Sequence, residues 1–143
     1  MINKINNLTE SIMSNFQSIF LLLARLTIAY GFFEPALNKW NSISDTAAWF
    51  ESLGIPFPLL NVYMSASVET LGVVLLALGL FTRLISLPLI VTMIVAIVTV
   101  HFTNGFGSAD NGFEIPLYYL LFLGIFASFG AGKISLDNFF KNK

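Results

Sequence analysis

Long apolar runs broken by single charges dominate this chain. Residues 84–100 and 115–132 contain no Asp, Glu, Lys or Arg, and at 1.5 Å of rise per residue each approaches the roughly 30 Å hydrocarbon core of a bilayer. The runs 18–38 and 58–80 are as apolar apart from Arg25, Glu34 and Glu69. The pattern predicts four spanning helices, at 18–38, 58–80, 83–104 and 113–130, in a single domain over residues 1–143. Shorter stretches carry one apolar face each. Ile2, Ile5, Leu8, Ile12 and Phe16 recur at helical spacing, Ala47, Ala48, Trp49, Phe50 and Leu53 do so again before Gly54, and Leu136, Phe139 and Phe140 follow a capping Ser135. These predict interfacial helices at 3–16, 43–53 and 135–141. The expected fold class is all-α: an integral membrane four-helix bundle with short amphipathic interfacial helices.

Several residues punctuate that plan. Asn7 begins a glycosylation sequon with Thr9, but it also stands three residues before Glu10, and the helix-capping reading is favoured. Pro35 and Pro88 fall inside helical runs and are expected to kink them or free a carbonyl, whereas Pro116 lies in a first turn where it costs little. The turn at Phe81-Thr82-Arg83 is short enough to make spans two and three antiparallel neighbours. Trp40 and Trp49 suit the bilayer interface. Gly124, Ser128 and Gly132 form a small-residue stripe along span four, readable as internal packing or as the seam of a homo-oligomer.

Composition narrows the class further. With 56% hydrophobic and 10% charged residues the chain is far from a soluble average, so the lipid bilayer is its first partner. A net charge of -1 without a basic cluster excludes nucleic acid. The lack of cysteine removes thiolate metal sites, disulfides and CxxC redox relays. One histidine cannot ligate haem from both sides, and Met1, Met13, Met64 and Met93 do not cluster, so tight copper binding by one chain is not expected. No phosphate loop, dinucleotide fingerprint or Ser-His-Asp set is present. With four spans, Lys4, Arg83, Lys133, Lys141 and Lys143 share one side and Lys39 takes the other, which predicts that both termini are cytoplasmic.

Charges inside the hydrocarbon layer need a partner or a role. Counting helical rise puts Arg25 about 10 Å from the inner surface, Glu69 about 14 Å and Glu34 about 24 Å. Arg25 and Glu69 are therefore expected to form an intramembrane ion pair. His101 ends span three and Glu114 begins span four at about the height of Glu34, joined by a loop whose glycines 105, 107 and 112 permit tight turns and a close backbone approach to a ligand. The expectation is an outward polar pocket of Glu34, Lys39, His101 and Glu114, rimmed by Asn38, Asn104 and Asp110, able to bind a ligand or handle protons. His101 and Glu114 are weak metal candidates. The plainer readings are a register-fixing pair for Arg25 and Glu69, an interfacial hydrogen bond for His101 and a helix-dipole partner for Glu114.

The stretches "LLLARL" at Arg25, "ALNKW" at 36–40, "ESLGIPFP" at 51–58, "ETLGVVLLALGLFTR" at 69–83, "NGFE" and "GAGKISLD" resemble the DoxX family of small four-helix membrane proteins. Within it, "GFFEPALNKW", "TVHFTNGF" and "DNGFEIPLYYLL" resemble the HvfX-type subgroup, which accompanies the maturation of copper-binding modified peptides. The resemblance matches Arg25, Glu69 and Glu114 to family positions and implies no catalytic residue. It implies a bacterial inner-membrane protein, and other members are described as membrane subunits of quinone-linked oxidoreductases such as thiosulfate:quinone oxidoreductase. Three functions follow: an accessory component of a copper-linked peptide (metallophore) system, with that peptide or its biosynthetic proteins as partners; a quinone-interacting, non-catalytic or redox-linked subunit among oxidoreductase partners; and a small proton or ion transporter gated at Arg25 and Glu69.

Overall fold

The computed structural model describes residues 2–142, with the side chains at 2–5, 8, 11 and 15 outside the described set. Every regular element among these residues is helical: α1 (Ile2–Asn41), α2 (Ile43–Ser52), α3 (Pro58–Leu78), α4 (Thr82–Ala96), α5 (Glu114–Phe129) and α6 (Leu136–Lys141). Three segments, Phe16–Asn41, Pro58–Leu78 and Thr82–Asn104, are long and apolar enough to cross a membrane, and α5 is apolar but shorter. Its sixteen residues rise about 24 Å.

α1 is one unbroken helix. The separate surface helix expected at 3–16 is instead the first part of this rod, because no glycine or proline precedes Gly31 to interrupt it. The helix also runs through Asn7, so that residue caps nothing. Pro35 lies inside α1 without ending it; its missing N–H leaves the Gly31 carbonyl without an intrahelical partner. α2 is the short helix after α1 and contributes buried Phe50.

α3 starts with Pro58 in its first turn and stops at Gly79, whose φ of 66° is the left-handed conformation glycine adopts readily. Leu80 N–H donates to the Leu75 carbonyl at 2.9 Å and Gly79 N–H to the Leu76 carbonyl at 3.2 Å, the paired bonds of a Schellman ending. The connection to α4 is thus Gly79–Phe81, with Thr82 and Arg83 already helical. α4 widens into a π-type turn at Ile97–His101 and then tightens into a 3₁₀ turn at Phe102–Asn104.

The core is built from Ile28, Phe32, Leu76, Leu89, Leu123 and Phe126, drawn from four helices. α1 packs along α3, α3 along α4 and α4 along α5, while α1 and α5 touch only slightly. Small residues bring the first pairs close: Ala36 and Ala66 are buried on α1 and α3, and a Cβ on Gly72 would meet Leu89 of α4 at 2.8 Å. Leu23, Leu71, Val91 and Leu121 point outward instead, the reverse of a soluble protein's surface. The proposed stripe on span four dissolves, because α5 ends before Gly130 and Gly132 lies in the following bend against Leu21 and Ser18 of α1. Gly124 faces open space.

Candidate functional site

Glu69 does not pair with Arg25. Its carboxylate accepts from Lys39 Nζ at 3.0 and 2.8 Å, and the two side chains are 3% and 16% exposed. Among the described residues this is the one salt bridge. Counting rise gave each charge the height of its own backbone, but long cationic side chains reach along the helix axis. Lys39 leans back from the end of α1 toward Glu69, while Arg25 reaches to the level of Leu76 on α3. Leu76 is seven residues, about 10 Å of rise, beyond Glu69. Beside the pair, Trp40 Nε1 donates to Thr70 Oγ1 at 2.9 Å and the Trp40 ring meets Tyr63 edge-on at 6.1 Å. Both rings are more than two-fifths exposed on what would be the lipid-facing surface.

Arg25 is fully buried and bonds to backbone alone, Nη1 to the Leu76 carbonyl at 2.8 Å and Nη2 to the Ile134 carbonyl at 2.6 Å. One of these acceptors belongs to the last turn of α3, where a cation also complements the helix dipole. Asp137 completes this knot by accepting from the N–H groups of Phe81 and Thr82 at 2.8 and 3.1 Å, thereby capping α4. Its own N–H donates to the Gly79 carbonyl at 2.9 Å. The sequence reading gave Asp137 no role, although it ends the "GAGKISLD" stretch after the Gly130–Gly132 break.

At the other end, His101 and Glu114 are committed to their own loop. His101 Nδ1 donates to the Asn111 carbonyl at 2.8 Å, and Asn104 Nδ2 shares that acceptor at 3.2 Å. Glu114 accepts from Ser108 N–H at 3.0 Å and from Tyr118 hydroxyl at 3.0 Å. Gly112 is needed because a Cβ there would strike the carbonyls of Gly105 and Gly107, so the close approach is to the loop's own backbone. Phe113 holds the turn by stacking on Phe102 at 6.0 Å and meeting Phe106 edge-on at 5.5 Å. Glu34 is exposed and among the described residues has no hydrogen bond or ion pair. The expected pocket of Glu34, Lys39, His101 and Glu114 therefore does not assemble: hydrogen bonds inside a ten-residue loop satisfy two members before either reaches α1. No three His, Asp or Glu side chains converge as metal ligands among the described residues.

Cavities open instead at the end of the bundle near Arg25. One, about 490 Å³, is lined by Gln17, Arg83, Lys133, Asp137 and Lys141 among others. A second, about 400 Å³ and almost wholly apolar, runs between α1 and α5 and shares Gln17, Leu21 and Phe129 with the first. The polar mouth was not anticipated, though the bias of basic residues to that side was its visible trace.

Comparison with known proteins supports the same class. An uncharacterized protein of Haemophilus influenzae is 35% identical over 125 residues, covering 85% of this chain and 83% of that protein. The putative oxidoreductase CatD of Bacillus subtilis is likewise 35% identical over 125 residues, covering 85% and 88%. The inner membrane protein YphA of Escherichia coli is 28% identical over 124 residues, covering 83% and 89%. No solved structure matches. The DoxX family profile matches residues 20–102, from before Arg25 to beyond His101, and with these relatives it establishes that the chain belongs to the DoxX family of membrane proteins.

Proposed function

We propose that this chain is a quinone-interacting subunit of an inner-membrane oxidoreductase system, with Lys39 and Glu69 as its proton-handling pair. The observation that carries this reading is a carboxylate 3% exposed, held by an ammonium within an apolar helix seam. An intramembrane ionisable pair marks a functional site by default, because hydrocarbon burial is costly without a return. The exposed Trp40 and Tyr63 rings beside it offer a flat surface on which a quinone ring entering from the bilayer would stack. A bound quinone supplies two-electron, two-proton chemistry; Lys39 would donate a hydrogen bond to its carbonyl, and Glu69 would hold or release the proton. The names of CatD and YphA support the redox and inner-membrane parts of this reading. The excess of Lys and Arg at the Arg83 and Lys133 end supports cytoplasmic termini. The chain is purified gently from its membranes and its quinone extracted and quantified. Near-stoichiometric quinone that falls on Trp40→Ala supports the reading, and a quinone-free protein whose membranes reduce quinone normally overturns it.

A second reading retains the copper-linked peptide system. The segments 31–40, 99–106 and 110–121, which carry the subgroup resemblance, all lie at the same end of the bundle, where Phe102 and Phe106 are exposed. A modified peptide would dock there and bring its own copper ligands, since this chain has no cysteine. Recovery of a copper-loaded peptide with the purified protein, reduced by Phe106→Ser, is the expected result; a peptide-free protein from cells making the peptide contradicts it. The transport reading would rest on Lys39 and Glu69, because Arg25 and Glu69 do not pair.

A further inference from the structure

The α1–α5 seam is closed at one end and open at the other. Tyr119 lies against Gly31 so closely that no Cβ would fit there, and its ring meets Phe32 edge-on at 5.4 Å. Below that plug the helices part, leaving the apolar cleft of about 400 Å³ bounded by Phe20, Ala24, Phe122 and Phe126. From Ala24 to Gln17 the cleft follows about 10 Å of helical rise. Phe20 and Phe129 flank it at 64% and 66% exposure, so its long side opens to the surrounding bilayer. At its lower end it merges with the polar cavity through Gln17, Leu21 and Phe129.

The mouth carries a charge imbalance. Arg83, Lys133 and Lys141 line it against one acid, Asp137, whose two oxygens are already occupied by the N–H groups capping α4. None of the three cations forms a salt bridge among the described residues. Arg83 is held over the bend, 3.1 Å from where a Cβ on Gly130 would stand. An apolar slot reached from the side, ending at the interface in three exposed cations against one acid, is complementary to one acyl chain joined to an anionic head.

We propose that the α1–α5 cleft binds an anionic phospholipid, with an acyl chain between Phe20 and Phe122 and the phosphate at Arg83 and Lys133. The site lies at the opposite end of the bundle from Lys39 and does not depend on the role of Lys39 and Glu69. A bound lipid would add to the slight contact between α1 and α5 and fix the bend after α5 to the start of α4.

The test uses the full chain in mixed micelles containing equal phosphatidylglycerol and phosphatidylcholine, with retained lipid counted by native mass spectrometry during delipidation. One phosphatidylglycerol is retained in preference, and the double variant Arg83→Gln/Lys133→Gln lowers that retention about thirtyfold, as expected for two lost surface cations. Ala24→Phe fills the cleft and lowers retention with the cations intact; because it alters packing, it is read only if the helical spectrum is unchanged. Equal retention of the two lipids, or retention unaffected by the double variant, overturns the proposal. So does displacement by millimolar inorganic phosphate, which would indicate a soluble-anion site, or preferential retention of ubiquinone in a ternary mixture.

Discussion

Two cations are taken out of water in this bundle, and they are satisfied in different ways. Arg25 donates to two backbone carbonyls, one from α3 and one from the tail before α6, with Asp137 as the nearby opposite charge. Lys39 is neutralised by a carboxylate on a neighbouring helix. A carbonyl keeps its acceptor at every pH, so the Arg25 arrangement has one state and acts as a staple joining α1, α3 and the tail. A carboxylate can gain or lose a proton, so the Lys39 arrangement has two states and sits where the chain can do chemistry. The planar guanidinium, with several donors in a fixed fork, suits the first task, and the compact ammonium suits the second.

Breaking each arrangement separately exposes the contrast. Lys39→Met leaves Glu69 buried and unpaired, and detergent-solubilised protein is expected to lose about 3–5 kcal/mol of unfolding free energy. Lys39→Met/Glu69→Leu removes both charges and should return to within about 1 kcal/mol of the parent, since an apolar replacement of a buried pair is often neutral. Denaturant titration of the two variants gives this comparison directly; a double variant as unstable as the single one would mean that the pair does not act as a unit.

Arg25→Met is expected to cost about 2–3 kcal/mol, from two lost charge-assisted hydrogen bonds. Here no second substitution restores stability, because the acceptors are main-chain carbonyls. Gly79→Ala follows at about 2 kcal/mol, as its φ of 66° is strained for alanine and the new Cβ meets Arg25 and Ser135. Thermal melting of both, with loosening of the α6 tail followed by hydrogen exchange, checks that they damage one knot. Smallest of all, Glu34→Gln should stay within about 0.5 kcal/mol, since the side chain is exposed and has no hydrogen bond or ion pair among the described residues. A larger loss would show that Glu34 has a partner in the membrane.

The long apolar runs displayed the all-helical membrane class directly, and α2 and α6 were visible as short amphipathic stretches closed by turn residues. Pairing was far less legible. In helices apolar nearly all round, periodicity does not set rotation, so Glu69 offered no sign of which cation it faces. Lys39 and Arg25 carry long side chains, so the height of each backbone does not settle which acceptor it meets. His101 and Glu114 failed as a pocket for another reason: Asn111, Ser108 and Tyr118 supply nearer partners, and a loop that closes on itself leaves no sequence trace. Asp137 was hidden by ordinariness, one acid in a polar tail, until the fold brought it beneath the start of α4.

The central claim is that Glu69 works and Arg25 holds. Glu69→Gln keeps the size of the side chain and an oxygen for Lys39 but removes the titrating group. Quinone reduction is measured in membranes containing equal amounts of parent and variant, with the melting temperature of each purified protein taken in parallel. A fall of about tenfold or more in quinone reduction, with the variant still folded, is the predicted result. Unchanged quinone reduction in the folded variant would contradict it and return Lys39 and Glu69 to the same structural role as Arg25.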